Sequence, residues 1–330
     1  MMQNINHLIG KPRFEYVNAD VCTFKTRDRF DYIFHMASHA SPKEYQAHPI
    51  ETLRTSSLGS LNIAEVARTQ DATILFASTS EVYGDAEIVP TPETCWGNVN
   101  PVGPRSCYDE GKRFTEALFM AYHKQYGLNV KVARIFNSYG PRLREDGLYG
   151  RAVSRFVKQA LTNEPITIYG DGTRTRSFCC ISDTITCLML LAVNEKAKGE
   201  VVNIGSAQET TILQLAKKIK QLTKNKSKLT YHLLPKDCPK RRCPDTSKMK
   251  ELLGWKPKTG LKEGFKNNPT VSTNSMRTFL MVKNQKTFFI YLLFFFSNSI
   301  PPILRQRWQS RLHSMFPRLL RRPIQEGDKI

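Results

Sequence analysis

Residues 72–79, ATILFAST, decide the fold. They form a continuous apolar run that ends in small hydroxyl residues. A short run of this kind suits a strand covered on both faces. Working outward, residues 31–38 (DYIFHMAS) read as a second strand. Between the two lies a helical pattern over residues 49–67, with apolar Leu53, Leu61, Ile63, Ala64 and Val66. Downstream, residues 106–126 read as a helix and residues 130–136 (VKVARIF) as a third strand. Residues 14–21 (FEYVNADV) and 201–205 (VVNIG) read as further strands, and residues 151–161, 183–194 and 211–222 as helices. Apolar strands separated by helices predict an α/β protein with a doubly wound parallel sheet.

Ligands of such sheets sit at the carboxyl ends of the strands. Those ends are Asp20-Val21, Ala37-Ser38-His39-Ala40, Ser78-Thr79-Ser80-Glu81 and Asn137-Ser138-Tyr139-Gly140, all rich in small and polar residues.

The 330 residues suffice for one large or two modest domains, and 40% hydrophobic with 24% charged residues excludes disordered, collagen-like and coiled-coil classes. Forty-nine Lys and Arg face 29 Asp and Glu, a formal charge of +20. Residues 267–330 hold ten Lys/Arg and two Asp/Glu, or +8, which leaves +12 for the first 266. The lysine cluster of residues 217–228 reads as a solvated helix face and loop. No aromatic-basic platform accompanies the charge, so nucleic acid is not an expected partner. The nine apolar residues from Phe288 fall short of the ~20 that a spanning helix needs. The N-terminal residues lack a signal-peptide pattern. The eight cysteines form no CxxC pair and no zinc-finger spacing, so neither a metal site nor a disulfide framework is expected, and a cytoplasmic location fits.

The chemistry gathers around Tyr108 and Lys112, four residues apart and on one helical face. An ammonium beside a phenol stabilises phenolate, which lets tyrosine act as a base nearer neutrality. Thr79, at a strand end 29 residues earlier, can hydrogen-bond a substrate hydroxyl, and Glu81 can orient a sugar or move a proton. Read alone, each of these also fits a packed tyrosine, a surface lysine and a capped strand end.

Several blocks in one order carry a resemblance: FDYIFHMASHASP, FASTSEVYGD, WGNVNPVGPRSCYDEGKR, ARIFNSYGPR, TRSFCCISD, VVNIGSAQETTI and KRRCPDTSKMKELLGWKP. They resemble the extended short-chain dehydrogenase/reductase superfamily, and most closely its UDP-glucuronate decarboxylases, over about residues 4–265. Sugar-nucleotide 4,6-dehydratases typically carry Thr-Asp-Glu where this chain has Thr79-Ser80-Glu81. The resemblance implies a Rossmann-like domain over residues 1–165, a smaller UDP-sugar-binding α/β subdomain over 166–266, and a basic tail from 267 to 330.

It also implies roles. Tyr108 would take the C4 hydroxyl proton while hydride passes to NAD, with Lys112 on the nicotinamide ribose and Thr79 on the reacting oxygen. The 4-keto sugar acid would then lose carbon dioxide, with Glu81 orienting the ring or managing protons at C5, before hydride returns to give UDP-xylose. Asn137 and Arg242 would hold the diphosphate, Arg176 would lie near sugar and diphosphate, and Tyr45 would touch the sugar. Asp20 and Val21 would meet the adenine, with Ala37, Ser38 and His39 along pyrophosphate and ribose. A homodimer through a helix bundle that includes the Tyr108 helix would follow.

The sequence departs from the family pattern in three places. No glycine-rich GxxGxxG turn precedes Phe14, so the first βαβ elements of the family fold are absent. Cys180 stands where the family commonly has Tyr. The resemblance stops near Lys266. A gene model with a shortened start and a read-through end would account for the first and last. Two other readings stay open: a different UDP-sugar epimerase or dehydratase, and an inactive UDP-sugar-binding remnant.

Overall fold

The computed structural model describes residues 4–143 and 152–266. The predicted tail and its TFFIYLLFFF stretch lie outside these residues. The first half contains β1 (Tyr32–His35), α1 (Pro42–Ala47), α2 (Pro49–Arg54), α3 (Ser60–Gln70), β2 (Thr73–Thr79), α4 (Ser106–Tyr126), β3 (Val130–Ile135) and β4 (Ser138–Tyr139). The second half follows with α5 (Ala152–Leu161), β5 (Ile166–Tyr169), β6 (Thr175–Ser177), β7 (Cys179–Cys180), α6 (Ile181–Ala192), β8 (Glu200–Ile204), β9 (Glu209–Thr211), α7 (Ile212–Leu222), β10 (Leu229–His232), α8 (Ser247–Leu253) and α9 (Leu261–Lys266).

Strands β1, β2, β3 and β8 pair in that order, all parallel, as the sequence predicts. Successive side chains of a strand point to opposite faces, and the core divides accordingly. Ile33, Ile74, Phe76, Val130 and Val132 face α3 and α4, where they meet Ile63, Ala64 and Phe119. Phe34, Leu75, Ala133, Val202 and Ile204 face the other way, onto Leu188 and Leu191 of α6 and Met249 of α8. The continuous apolar runs are therefore strands buried on both sides.

A second core joins Val153, Phe156 and Val157 of α5, Ile166 and Ile168 of β5, Leu215 and Ile219 of α7, and Phe265 of α9. Strand β10 pairs with β5 in parallel, and β6 pairs with β9 antiparallel. Helix α7 opens with a full capping box: Thr211 accepts from the Gln214 amide, and the Gln214 side chain accepts from the Thr211 amide.

One predicted element is overturned. Residues 14–21 form no strand. Among the described residues no strand lies beyond β1 to pair with them. The segment makes apolar contact instead: Val21 and Phe24 enter the first core, and the Asn62 amide donates to their carbonyls at 3.0 and 2.8 Å. The helix predicted at residues 49–67 is present over 49–70 as α2 and α3, joined by a π-helical turn at Thr55–Gly59. Among the described residues no helix is long and apolar enough to cross a membrane.

Candidate active site

Helix α4 carries Tyr108 and Lys112. Its buried stripe runs through Tyr108, Lys112, Thr115, Glu116, Phe119 and Tyr122, a spacing of three to four residues that turns one face to the sheet. Gly111 lies on the neighbouring face, where a Cβ would come within 2.9 Å of the Ser56 hydroxyl, so its lack of a side chain lets the π-helical turn approach. The helix ends at Gly127, whose φ of 69° is left-handed.

Lys112 is buried beneath the sheet edge. Its ammonium donates to the Ala77 carbonyl at 2.8 Å and lies 4.7 Å from the Phe76 ring centroid and 5.9 Å from that of Tyr108. Burial pushes its pKa down to about 7. Tyr108 and Lys112 share one buried face of α4, with the ammonium held near the carboxyl end of β2.

Thr79 ends β2 and caps the 3-10 turn Ser80–Tyr83, accepting from the Glu81 amide at 3.3 Å. Gly84 closes the turn with φ +57°, and a Cβ there would collide with the Asn98 carbonyl. The turn projects Glu81 into a cluster of charge. One carboxylate oxygen of Glu81 accepts from Arg105, and the other accepts from Arg242 at 3.2 Å. Arg105 also lies 3.6 Å from Asp109. Burial raises the Asp109 carboxyl to about 6 against the pull of Arg105 and Arg242. The Asp109 Oδ1, Arg242 Nε and Tyr45 hydroxyl are buried without a hydrogen-bond partner. Three polar atoms in one cluster could all bond a polar ligand.

The remaining predicted residues take varied places. Tyr45 is fully buried and stacks on Tyr108. Asn137 follows β3 and donates to the Ser177 carbonyl at 3.2 Å. Arg176 directs its donors to the carbonyls of Thr175 and Pro239, at 2.7 and 3.0 Å, and to the Cys238 sulfur at 3.5 Å. Burial and the nearby Arg242 charge push its pKa down. Arg176 therefore shapes the loop that delivers Arg242. Ala37, Ser38 and His39 follow β1 at its carboxyl end, with His39 3.6 Å from Glu44. Asp20 is exposed and accepts from the Cys22 amide at 2.9 Å, while the Val21 side chain points into the core.

Arg105 and Asp109 are the residues that sequence reasoning passed over. Both stand in the quoted block WGNVNPVGPRSCYDEGKR, within one turn of Tyr108. Glu81, the partner of Arg105, is 24 residues away in sequence, so only the fold shows the pairing.

For a dinucleotide, the donor set suits one end. Lys112 is tied to the carboxyl end of β2, Tyr108 lies one turn before it on α4, and Ser38 follows the neighbouring β1; groups of this kind suit the hydroxyls of a nicotinamide ribose. Among the described residues no glycine-rich turn stands at these strand ends for a pyrophosphate.

Residues 2–268 match the family model described as GDP-mannose 4,6 dehydratase. The chain is 46% identical over 262 residues to UDP-glucuronic acid decarboxylase 5 of Arabidopsis thaliana, covering 79% of this chain and 75% of that protein. It is 46% identical over 263 residues to UDP-glucuronic acid decarboxylase 1 of Xenopus tropicalis, covering 80% of this chain and 61% of that one. Among solved structures, UDP-glucuronic acid 4-epimerase from Bacillus cereus in complex with UDP-glucuronic acid and NAD matches with a TM-score of 0.73 at 25% identity, over 84% of this chain and 86% of that one. UDP-glucose 4-epimerase from Thermotoga maritima matches at 0.68 and 32% identity, over 76% and 78%.

Proposed function

Since the chain belongs to the UDP-glucuronic acid decarboxylase family, we propose that it converts UDP-glucuronate to UDP-xylose and carbon dioxide, with NAD as cofactor. The observation that supports this reading is Lys112, one turn after Tyr108 on α4, donating to the Ala77 carbonyl of the strand that ends in Thr79, with Glu81 in the next turn and Arg242 on its carboxylate.

Bound NAD supplies the acceptor for the hydride at sugar C4 and the donor that returns it. Tyr108 takes the proton of the C4 hydroxyl, and the neighbouring Lys112 ammonium favours the phenolate that receives it. Thr79 holds the reacting oxygen in line. The resulting 4-keto sugar is a β-keto acid, so its C6 carboxylate leaves as carbon dioxide with the electron pair delocalised onto the ketone oxygen. Glu81 orients the ring and manages the proton that C5 then needs. Arg242 and Asn137 grip the diphosphate, a task that suits a guanidinium fork. Tyr45 walls the sugar pocket.

Ser80 favours decarboxylation over dehydration. It is buried at the start of the 3-10 turn and leaves Glu81 as the turn's carboxylate. Two finer features belong to the same reading. Exposed Ile50 and Leu53 on α2 and Phe114 on α4 offer an apolar face for a homodimer. Eight free cysteines suit a reducing, cytoplasmic compartment.

The test is direct. The purified chain is heated to release and quantify NAD, then supplied with UDP-glucuronate and assayed for carbon dioxide and UDP-xylose. Production of both, abolished by Tyr108→Phe with UDP binding retained, is the expected result. Bound NAD with a C4-epimerised or dehydrated product would overturn the decarboxylase assignment. UDP binding without NAD would point to a remnant instead.

A further inference from the structure

Four ionised side chains alternate through the site: Arg242, Glu81, Arg105 and Asp109. They come from three separate parts of the chain. Arg242 precedes α8, Glu81 lies in the turn after β2, and Arg105 and Asp109 belong to the start of α4. Arg105 is the N-cap residue of α4, and its carbonyl accepts from the amides of Tyr108 and Asp109, both at 3.0 Å. Its backbone is thus tied to the turn that carries Tyr108, while its side chain grips the turn that carries Glu81.

We propose that Arg105 is a positioning residue of the reaction, which fixes the Glu81 carboxylate relative to Tyr108 and keeps it anionic when substrate arrives. This rests on the decarboxylase reading of Tyr108 and Glu81 above.

The argument follows from the pairing. In the free protein Glu81 has two guanidinium partners. Arg242 meets Glu81 through Nη1 alone and has a second donor, Nε, without a partner, so a diphosphate can share its fork. Arg105 is the partner of Glu81 that the diphosphate does not share. Arg105 and Glu81 are both largely buried, at 15% and 12% side-chain exposure, so the pair is weakly screened and geometrically confined. Asp109 holds Arg105 from the other side and keeps the fork aimed at Glu81. A lysine could supply charge at position 105 but no fork, so it would satisfy only part of the arrangement.

The experiment uses the full chain with Arg105→Met and Arg105→Lys. Glutamate labelled with 13C at the side-chain carboxyl gives a Glu81 signal, assigned by its loss in Glu81→Gln and followed through a pH titration without turnover. Removal of the Arg105 charge is expected to raise the Glu81 midpoint by about one unit or more, with much of the shift recovered in Arg105→Lys. UDP affinity is expected to stay within about twofold, because the proposed diphosphate grip is Arg242. With UDP-glucuronate, carbon dioxide release is expected to fall ~100-fold in Arg105→Met while nicotinamide reduction falls much less.

An unmoved Glu81 midpoint overturns the proposal, whatever the chain does with UDP-glucuronate. Equal losses of nicotinamide reduction and carbon dioxide release overturn it too, because Arg105 would then serve α4 as a whole. A wild type that releases no carbon dioxide, but whose Glu81 midpoint moves on losing Arg105, overturns the decarboxylase reading and upholds the tie. Should Arg105→Met not fold, Arg105→Lys decides by the same midpoint and the same ratio of steps.

Discussion

The ring of Tyr45 lies flat against that of Tyr108, with centroids 5.0 Å apart and planes 5° from parallel. The contact joins α1 to α4 and fixes the plane of the proposed base. It is worth about 0.5–1.5 kcal/mol beyond the area it buries. Because the Tyr45 hydroxyl is buried without a partner, Tyr45→Phe keeps the ring and removes an unmet polar group. That variant is expected to unfold at the same or higher urea concentration and to show a raised KM for the UDP-sugar. Tyr45→Ala is expected to cost ~3–5 kcal/mol and to lower kcat, because a large buried ring is lost. A Tyr45→Phe variant destabilised by a similar amount would show that the hydroxyl, not the ring, carries the contact.

Stability should depend on acid through His35. Its ring is buried, stacks on Phe76 with centroids 5.7 Å apart, and meets the Ser60 hydroxyl at 2.9 Å. Burial, with the Lys112 charge adding to it, pushes its pKa down from 6.5 to about 3. Above pH 6.5 the imidazole is neutral in both folded and unfolded chains, and the fold bears no penalty. Between 6.5 and 3 the unfolded chain binds the proton and the folded one refuses it, so stability falls with pH by as much as about 5 kcal/mol. Urea titrations at pH 7 and pH 4 measure the drop. His35→Gln should flatten it, and an unchanged slope in that variant would assign the loss to other groups.

A buried ion pair braces the strand ends. Arg134 Nη2 lies 2.7 Å from Glu116 Oε2, its Nε donates to Oε1 at 3.0 Å, and its Nη1 donates to the Tyr83 hydroxyl at 2.9 Å. Glu116 also accepts from Ser78, the residue before Thr79. Arg134→Met leaves a buried carboxylate unpaired and is expected to cost ~3–5 kcal/mol in urea unfolding. Replacing both partners, as Arg134→Met with Glu116→Leu, should recover most of that loss. A double variant no better than the single would show that Tyr83 and Ser78 depend on the pair itself.

The proposed homodimer would use the outer side of α4. Phe114 is 49% exposed, and Leu53 of α2, exposed at 40%, lies across Gly111 from it. Sedimentation is expected to show a dimer for the wild type and a monomer for Phe114→Glu combined with Leu53→Glu. A dimer that survives both charges would place the subunit contact elsewhere.

Much of this was legible in the sequence because strand patterning is local. The continuous apolar run through Ile74, Leu75 and Phe76 reads as a strand buried on both faces, and the helix of Tyr108 and Lys112 follows from its own pattern. Residues 14–21 carry strand-like residues, but a strand needs a hydrogen-bonding neighbour, which the local pattern cannot supply. Arg105 and Asp109 were hidden for a related reason. An arginine before a helix looks the same whether it meets water or Glu81. Arg176 has the same limit: the resemblance gives it a place near sugar and diphosphate, and only the fold shows its donors on the carbonyls of Thr175 and Pro239.

The alternating row of Arg242, Glu81, Arg105 and Asp109 has its own electrical meaning. Two guanidinia are answered by two carboxylates, so these four residues hold almost none of the +20 carried by the chain. Encounter with an anionic nucleotide and retention of it are then separate affairs. Added salt, which screens exposed charge over about 10 Å at 0.1 M, would slow arrival. The grip itself, made among buried forks, would hardly notice the ionic strength.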